Sequence, residues 1–408
     1  MPEISQKARQ LPASPIRKLV PYAEVAKKRG VEVYHLNIGQ PDIPTPKVYF
    51  EAIQQAHLEV LAYSHSAGIE PLRERILDYY ARLGHIIGMD QLIVTTGASE
   101  ALNFVIASCT NSADEIIVPE PFYANYNSFS IHNQASIVPI TTRIEDNFAL
   151  PPIEAFEALI TERTKAIMIC NPGNPTGILY PKKALLKLRE LVLKHDLFLI
   201  ADEVYREFVY GGEVHQSVLG LEGLEEHVIV IDSISKRFSA CGARIGCVIS
   251  RNKTLMSSIL KMAQARLSPP TLAQIGAEAV YQLPASYYQE VAEEYASRRD
   301  VLLSELNKIE GVHCPAVNGA FYAIVRLPVN DTEDFCKWML ESFSHKGATV
   351  MMAPAAGFYA TPGLGMDEVR IAYVLNAKNL KAAMSCLEAG LAAYPGRKEE
   401  ERQISARS

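Results

Sequence analysis

Seven cysteines, Cys109, Cys170, Cys241, Cys247, Cys314, Cys336 and Cys386, are scattered through 408 residues without a single CxxC pair. An odd number of isolated thiols supports neither a disulfide framework nor a zinc site, so reduced thiols and no metal are expected. No apolar run is long enough to span a bilayer, so no membrane partner is expected. The N-terminal "MPEISQKARQLPASPIRKL" also lacks an apolar core of the kind that secretion signals carry. The expected location is the cytoplasm. A formal net charge of −6 gives no reason to expect a nucleic-acid partner. No G-x-G-x-x-G follows the first apolar run of the central region, which argues against a pyridine-nucleotide dehydrogenase. Internal repeats and low-complexity tracts are absent.

What is present is an alternation. Between about residues 92 and 250, short apolar runs are each followed by a polar or glycine-rich turn and then a helix-like segment. The runs are "LIVTT", "EIIVP", "ASIVPI", "AIMIC", "LFLIA", "VIVI" and "IGCVIS". Continuous Val- and Ile-rich runs suit strands buried on both faces, and strands alternating with helices predict an α/β domain around a mostly parallel sheet. The stretch 182–195 has helical spacing. Beyond "RLSPPT" the texture changes: 285–311 reads as one long helix ending at Gly311. An α+β segment follows, with "AFYAIVRL" and "VRIAYVL" as strands. The expected division is an N-terminal segment of a small domain at 1–46, a large domain at 47–285, a small C-terminal domain at 286–394, and a charged flexible tail at 395–408.

In open α/β sheets, ligands bind beyond the carboxyl ends of the strands, so the residues following each run matter most. After "LIVTT" comes "GASEAL", where a helix N-terminus with Gly97, Ala98 and Ser99 could receive an anion or be a plain cap. After "AIMIC" comes "NPGNPTG", a loop constrained by two Asn-Pro pairs. After "LFLIA" comes "DEVY", placing Asp202 and Tyr205 at a strand end. Asp202 alone would most simply be a helix cap; it could also hold a cationic ring nitrogen. After "VIVI" comes "DSISKRFSACGARIG", with hydroxyls at Ser233 and Ser235, the fork of Arg244, and the primary amine of Lys236. Any one lysine could be a solvated surface charge. Together the four turns supply phosphate donors, a carboxylate for a ring nitrogen, an Asn and a Tyr for a phenolic oxygen, and an amine. That inventory is the one needed to bind pyridoxal 5'-phosphate as a Schiff base.

With these residues the sequence resembles the class I/II aminotransferases of pyridoxal-phosphate fold type I, over nearly its whole length. The blocks "LNIGQPDIPTP", "YSHSAGIEPLRE", "PEPFYANY", "NPGNPTG", "DEVY", "SISKRFSACGARIG", "GAFY" and "VRIAY" occur in the family's order. The resemblance implies a large domain with a seven-stranded, mostly parallel sheet and a smaller α+β domain formed by both termini. It implies that Lys236 bonds the cofactor covalently and then shuttles a proton. Asp202 would pair with the pyridinium nitrogen, while Asn174 and Tyr205 would hold the phenolic oxygen and Tyr123 would stack on the ring. Ser99, Ser233 and Arg244 would bind phosphate with the Ala98 backbone. Tyr63 would reach the phosphate in a partner subunit, making a homodimer with shared sites. Arg370 would grip the substrate carboxylate, with Gly39 closing that pocket and Asn174 beside it. The loop "APAAGFYATPGLG" departs from the family's usual wording.

The implied reaction moves an amino group between an L-amino acid and a 2-oxo acid such as 2-oxoglutarate. Aspartate is the first expectation for the donor, ahead of alanine or aromatic amino acids. Some aspartate-preferring relatives carry a lysine where Ser99 stands here, and Arg266 is a candidate either for pairing with substrate from the partner subunit or for a structural ion pair. A carbon–sulfur lyase of the same fold and a non-catalytic ligand sensor are the alternatives.

Overall fold

All seven apolar runs form strands of one sheet in the computed structural model, which describes residues 2–398. In chain order, β1 is Glu32–His35, and the large sheet follows: β2 (Leu92–Thr95), β3 (Glu115–Glu120), β4 (Ser136–Thr141), β5 (Thr164–Cys170), β6 (Phe198–Asp202), β7 (Val228–Ser233) and β8 (Gly246–Ile249). The strand order is β2-β8-β7-β6-β5-β3-β4, and only β8 runs antiparallel to its neighbours.

Side chains alternate across a strand, so successive residues of one run must serve two separate cores. Ile93, Ile116, Met168, Ile200, Ile229 and Ile231 pack on one face with Val105 and Ile106 of the helix Gly97–Cys109. Val94, Ile117, Ile167, Ile169, Leu199 and Val230 pack on the other with Leu188 and Val192 of the helix Lys182–His195. This double burial is why the runs are apolar without alternation. The edge strand β4 shows the contrast, since only Ile140 among its residues is buried.

The second core joins the two ends of the chain. β1 pairs in parallel with β10 (Ala348–Met351), and β11 (Ala353–Pro354), β12 (Glu368–Ala372) and β9 (Tyr322–Arg326) form a three-stranded antiparallel sheet in that order. Leu19, Ala23 and Leu36 pack there with Tyr295, Leu302, Val350 and Ile371. The long helix is Ala285–Leu306, five residues shorter than its sequence pattern predicts. Lys308 and Ile309 donate their N–H groups three residues back, to Glu305 and Leu306, so the chain tightens into turns before Gly311. Of the stretch expected to be a flexible tail, Arg397 bridges Val329 and the Lys398 N–H donates to the Pro328 carbonyl; 399–408 lie outside the described residues. Among the described residues no helix is long and apolar enough to cross a membrane.

One contact fixes the sheet to the helix that opens the site. A Cβ built on Gly246 would lie 2.7 Å from the Ala98 nitrogen and 2.9 Å from the Asp232 carbonyl oxygen, both backbone atoms that cannot step aside. Gly246→Ala is therefore expected to cost about 1–3 kcal/mol through overpacking. Urea unfolding checks this, and an unchanged midpoint would show that the helix and β8 can part freely.

Candidate active site

The carboxyl ends of β5, β6 and β7 and the N-terminus of the helix Gly97–Cys109 meet at one cavity of about 340 Å³. It lies on the sheet edge where α/β folds expose strand-end residues. Ala98, Ser99, Tyr123, Asn174, Asp202, Tyr205, Ser233, Lys236, Arg244, Gly39 and Arg370 all line it.

At one end is an anion cradle. Gly97 turns the chain at φ +74°, and a side chain there would collide with the Arg244 guanidinium. Arg244 itself takes the left-handed conformation at φ +56°, a cost of order 1 kcal/mol or more for a non-glycine residue. Its Nη1 donates to the Cys241 carbonyl at 3.1 Å. Ser233 and Ser235 hydroxyls lie 2.9 Å apart, and the Ser233 hydroxyl also lies 2.8 Å from the Ile245 carbonyl. The first N–H groups of a helix, two or more hydroxyls and a guanidinium make a binding site for a phosphate-sized anion.

In the middle, Asp202 ends β6 and is 4% exposed. Burial pushes its carboxyl up to about 6, opposed by the hydrogen bond that the Tyr126 hydroxyl donates at 2.8 Å. A buried carboxylate with one hydroxyl donor is suited to a cationic partner. Asn174 Nδ2 sits 3.4 Å from the Tyr205 hydroxyl, which meets the Tyr322 hydroxyl at 3.0 Å. The Tyr123 hydroxyl accepts from Asn125 at 2.7 Å, and burial raises it to about 12. Lys236 Nζ donates to the Gly39 carbonyl at 2.9 Å. Behind it Arg237 and Asp232 form a fully buried ion pair, and Tyr80 donates to the same carboxylate at 2.9 Å. This pair holds the short helix Ile234–Arg237 against the sheet.

At the other end Arg370 is 1% exposed, held between the rings of Tyr322 at 4.6 Å and Phe358 at 4.8 Å. It donates to Asn174 Oδ1 at 3.1 Å and to the Asn37 carbonyl at 2.5 Å, while its Nε has no partner. Burial lowers its pKa, and no carboxylate of the described residues compensates it. A guanidinium fork of this kind can receive a carboxylate bidentately.

Two expected residues lie elsewhere. Tyr63 is 79% exposed and outside this cavity. Arg266 does not line the cavity either: its Nε lies 3.2 Å from Glu100 Oε2, and its Nη2 donates to the Ser66 and Val94 carbonyls. Its guanidinium is committed within its own chain. Tyr126, Tyr322 and Asn37 are the residues that sequence reasoning missed. Tyr126 lies one helical turn beyond Tyr123, and that spacing is a usable signal; Asn37 carries none.

The profile of aminotransferase class I and II matches residues 31–387. The aspartate aminotransferase of Bacillus subtilis is 30% identical over 89% of this chain and 92% of its own length. The probable aspartate/prephenate aminotransferase of Thermus aquaticus is 31% identical over 90% and 96%. Among solved structures, the Thermotoga maritima aspartate aminotransferase superposes with a TM-score of 0.87 at 28% identity, covering 96% of this chain and all of that one. An alanine aminotransferase from Pyrococcus furiosus gives 0.86 at 30% identity, covering 95% and 99%.

The Asp202 shift has a measurable consequence. Its folded value of about 6 lies above the ordinary 3.8, so the protonated form favours folding. That contribution is complete below pH 4 and is lost as pH rises through 6. In cofactor-free protein, Asp202→Asn should therefore unfold at higher denaturant than wild type at pH 8, by up to about 3 kcal/mol. The gap should close toward pH 4. A gap that does not vary with pH in chemical unfolding would contradict a carboxyl raised by burial.

Proposed function

The chain belongs to the class I and II aminotransferases, and from that premise we propose that it moves the amino group of aspartate to a 2-oxo acid such as 2-oxoglutarate. Membership makes it a pyridoxal-phosphate-dependent transaminase. The cavity fits that cofactor in three respects. It has an anion cradle cleared by Gly97, a buried carboxyl with no cation of its own, and a lysine amine whose one close oxygen is a backbone carbonyl. The observation that carries the residue assignments is the convergence of Lys236, Asp202 and Arg370 on this one cavity.

Bound pyridoxal phosphate supplies a cationic ring that accepts the electrons of a bond broken at the substrate α-carbon. The chain's own residues do the rest. Ala98, Ser99, Ser233 and Arg244 hold the phosphate. Asp202, fixed by Tyr126, would favour a proton on the ring nitrogen. Asn174 and Tyr205 would hold the phenolic oxygen, and Tyr123 would stack on the ring. Arg370 clamps the α-carboxylate and so sets the angle of the Cα–H bond, a gain in orientation rather than in bonding. Lys236 Nζ would take the α-proton as a base and hold it for return as an acid. Gly39 lets the backbone approach, because a side chain there would overlap the Tyr322 ring.

Aspartate aminotransferase names among the relatives favour the dicarboxylic donor, with alanine as the competing one. A homodimer is part of the same reading. Leu58, Val60, Leu61 and Tyr63 are exposed together, and an apolar run of this kind is normally covered by a second subunit. From there Tyr63 would reach the partner's phosphate site.

Lys236→Ala is expected to retain the cofactor without a covalent link and to lose transamination by at least about 10³-fold. A panel of amino donors against 2-oxoglutarate, scored by glutamate formed, checks both points. Near-normal turnover in the variant removes Lys236 from its role. Release of ammonia without any 2-oxo acid would instead mark an eliminating enzyme.

A further inference from the structure

We propose that Arg17 reads the side-chain carboxylate of a dicarboxylic amino donor, an inference that rests on the transaminase reading above. The cavity wall carries four cationic side chains, Arg17, Lys236, Arg244 and Arg370, against the single carboxylate of Asp202. Three of the four have partners supplied by the reaction. Phosphate takes Arg244, the α-carboxylate takes Arg370, and Lys236 with Asp202 serves the ring. Arg17 is left without a group of the reaction to bind, and an alanine-like donor offers it none. A donor with a second carboxylate offers one.

The surroundings of Arg17 point the same way. Its side chain makes no hydrogen bond or ion pair with any described residue, whereas Arg298 and Arg326 each hold carboxylates. The backbone that carries it is nevertheless fixed. Asn37 Nδ2 donates to the Ile16 carbonyl at 2.8 Å, and the Asn37 carbonyl accepts from Arg370. Pro15 is buried against Gly357, with no room for a side chain there. Leu19, two residues on, is 3% exposed. A free guanidinium thus stands on an anchored strap, linked through one asparagine to the fork that grips the other end of the substrate. Two planar forks on one cavity wall can each bind a carboxylate bidentately.

The test uses holoenzyme and the donor half-reaction alone, followed by the cofactor's visible absorbance with no 2-oxo acid present. In Arg17→Ala the ratio of specificity constants for aspartate over alanine should fall about 10- to 100-fold, and Arg17→Lys should retain part of it. Succinate, a dicarboxylate that cannot react, should bind the Ala variant weaker by a similar factor. Propionate, with one carboxylate, should not separate the two proteins. An unchanged ratio, or equal losses for aspartate and alanine, would overturn the role of Arg17 and leave the transaminase reading standing. No absorbance change with any donor in wild type would overturn the transaminase reading itself. A wild type that takes alanine as readily as aspartate would overturn the dicarboxylic preference.

Discussion

A guanidinium buried without an anion is the constraint around which this molecule is organised. Taking a charge out of water is costly unless something compensates it. Arg370 meets only neutral partners: two aromatic faces, the amide oxygen of Asn174 and the carbonyl of Asn37. Those partners come from separate parts of the chain. Tyr322 and Arg370 belong to the three-stranded sheet, Asn174 to the loop after β5, and Asn37 to the segment after β1. A carboxylate entering here would recover that free energy, and the pieces that surround Arg370 are the same pieces that join the two cores. The proposed carboxylate site and the seating of the second core on the first therefore share one residue.

Much of this was legible from sequence, for a local reason. A strand buried on two faces must be apolar along its length, and the first polar residue after it must leave the core at the carboxyl edge. Asp202 marks that point, Ser233 follows one residue after the polar but interior Asp232, and Lys236 and Asn174 come within a few residues of their strands. Reading strand ends therefore read most of the cavity. What escaped depends on distance in space rather than in sequence. Tyr126 reaches Asp202 across 76 positions, and Asn37 reaches Arg370 across 333. No local pattern reports such a meeting. The long helix failed for a smaller reason: its apolar spacing continues through Ile309, but its last turns close onto the third residue back. Periodicity does not distinguish the two kinds of turn.

Arg266 is the structural ion-pair partner that its sequence context equally allowed. An arginine beside a Pro-Pro pair carries no mark of what it faces, and Glu100, which occupies it, lies in the first turn of the helix Gly97–Cys109. Glu100 also accepts from the Thr96 N–H at 2.7 Å. One carboxylate thus accepts from the N-terminus of the helix that forms the anion cradle and pairs with Arg266. The pair belongs to the cradle's support, and its charge is spent there.

Alternation along β6 gives the floor of the site a second layer. Asp202 faces the cavity, so Glu203 must leave on the opposite side, into the interior. There it takes hydrogen bonds from the Ser217 hydroxyl and the Val218 N–H, both at 3.0 Å, and lies 3.7 Å from Arg206. Burial raises Glu203 to about 7 and lowers His215 to about 3, the latter pushed down further by Arg206. Arg206 lies over the Tyr80 ring at 4.7 Å, and Tyr80 donates to Asp232, which pairs with Arg237. The chain of contacts runs from the residue after Asp202 to the residue after Lys236. Buried ion pairs return little net stability, but each fixes the direction of the groups it joins. Through them the two strand ends that carry the carboxylate and the amine are held at one separation. A reaction whose rate depends on where a proton donor stands requires that, and an apolar layer of the same volume would not enforce it.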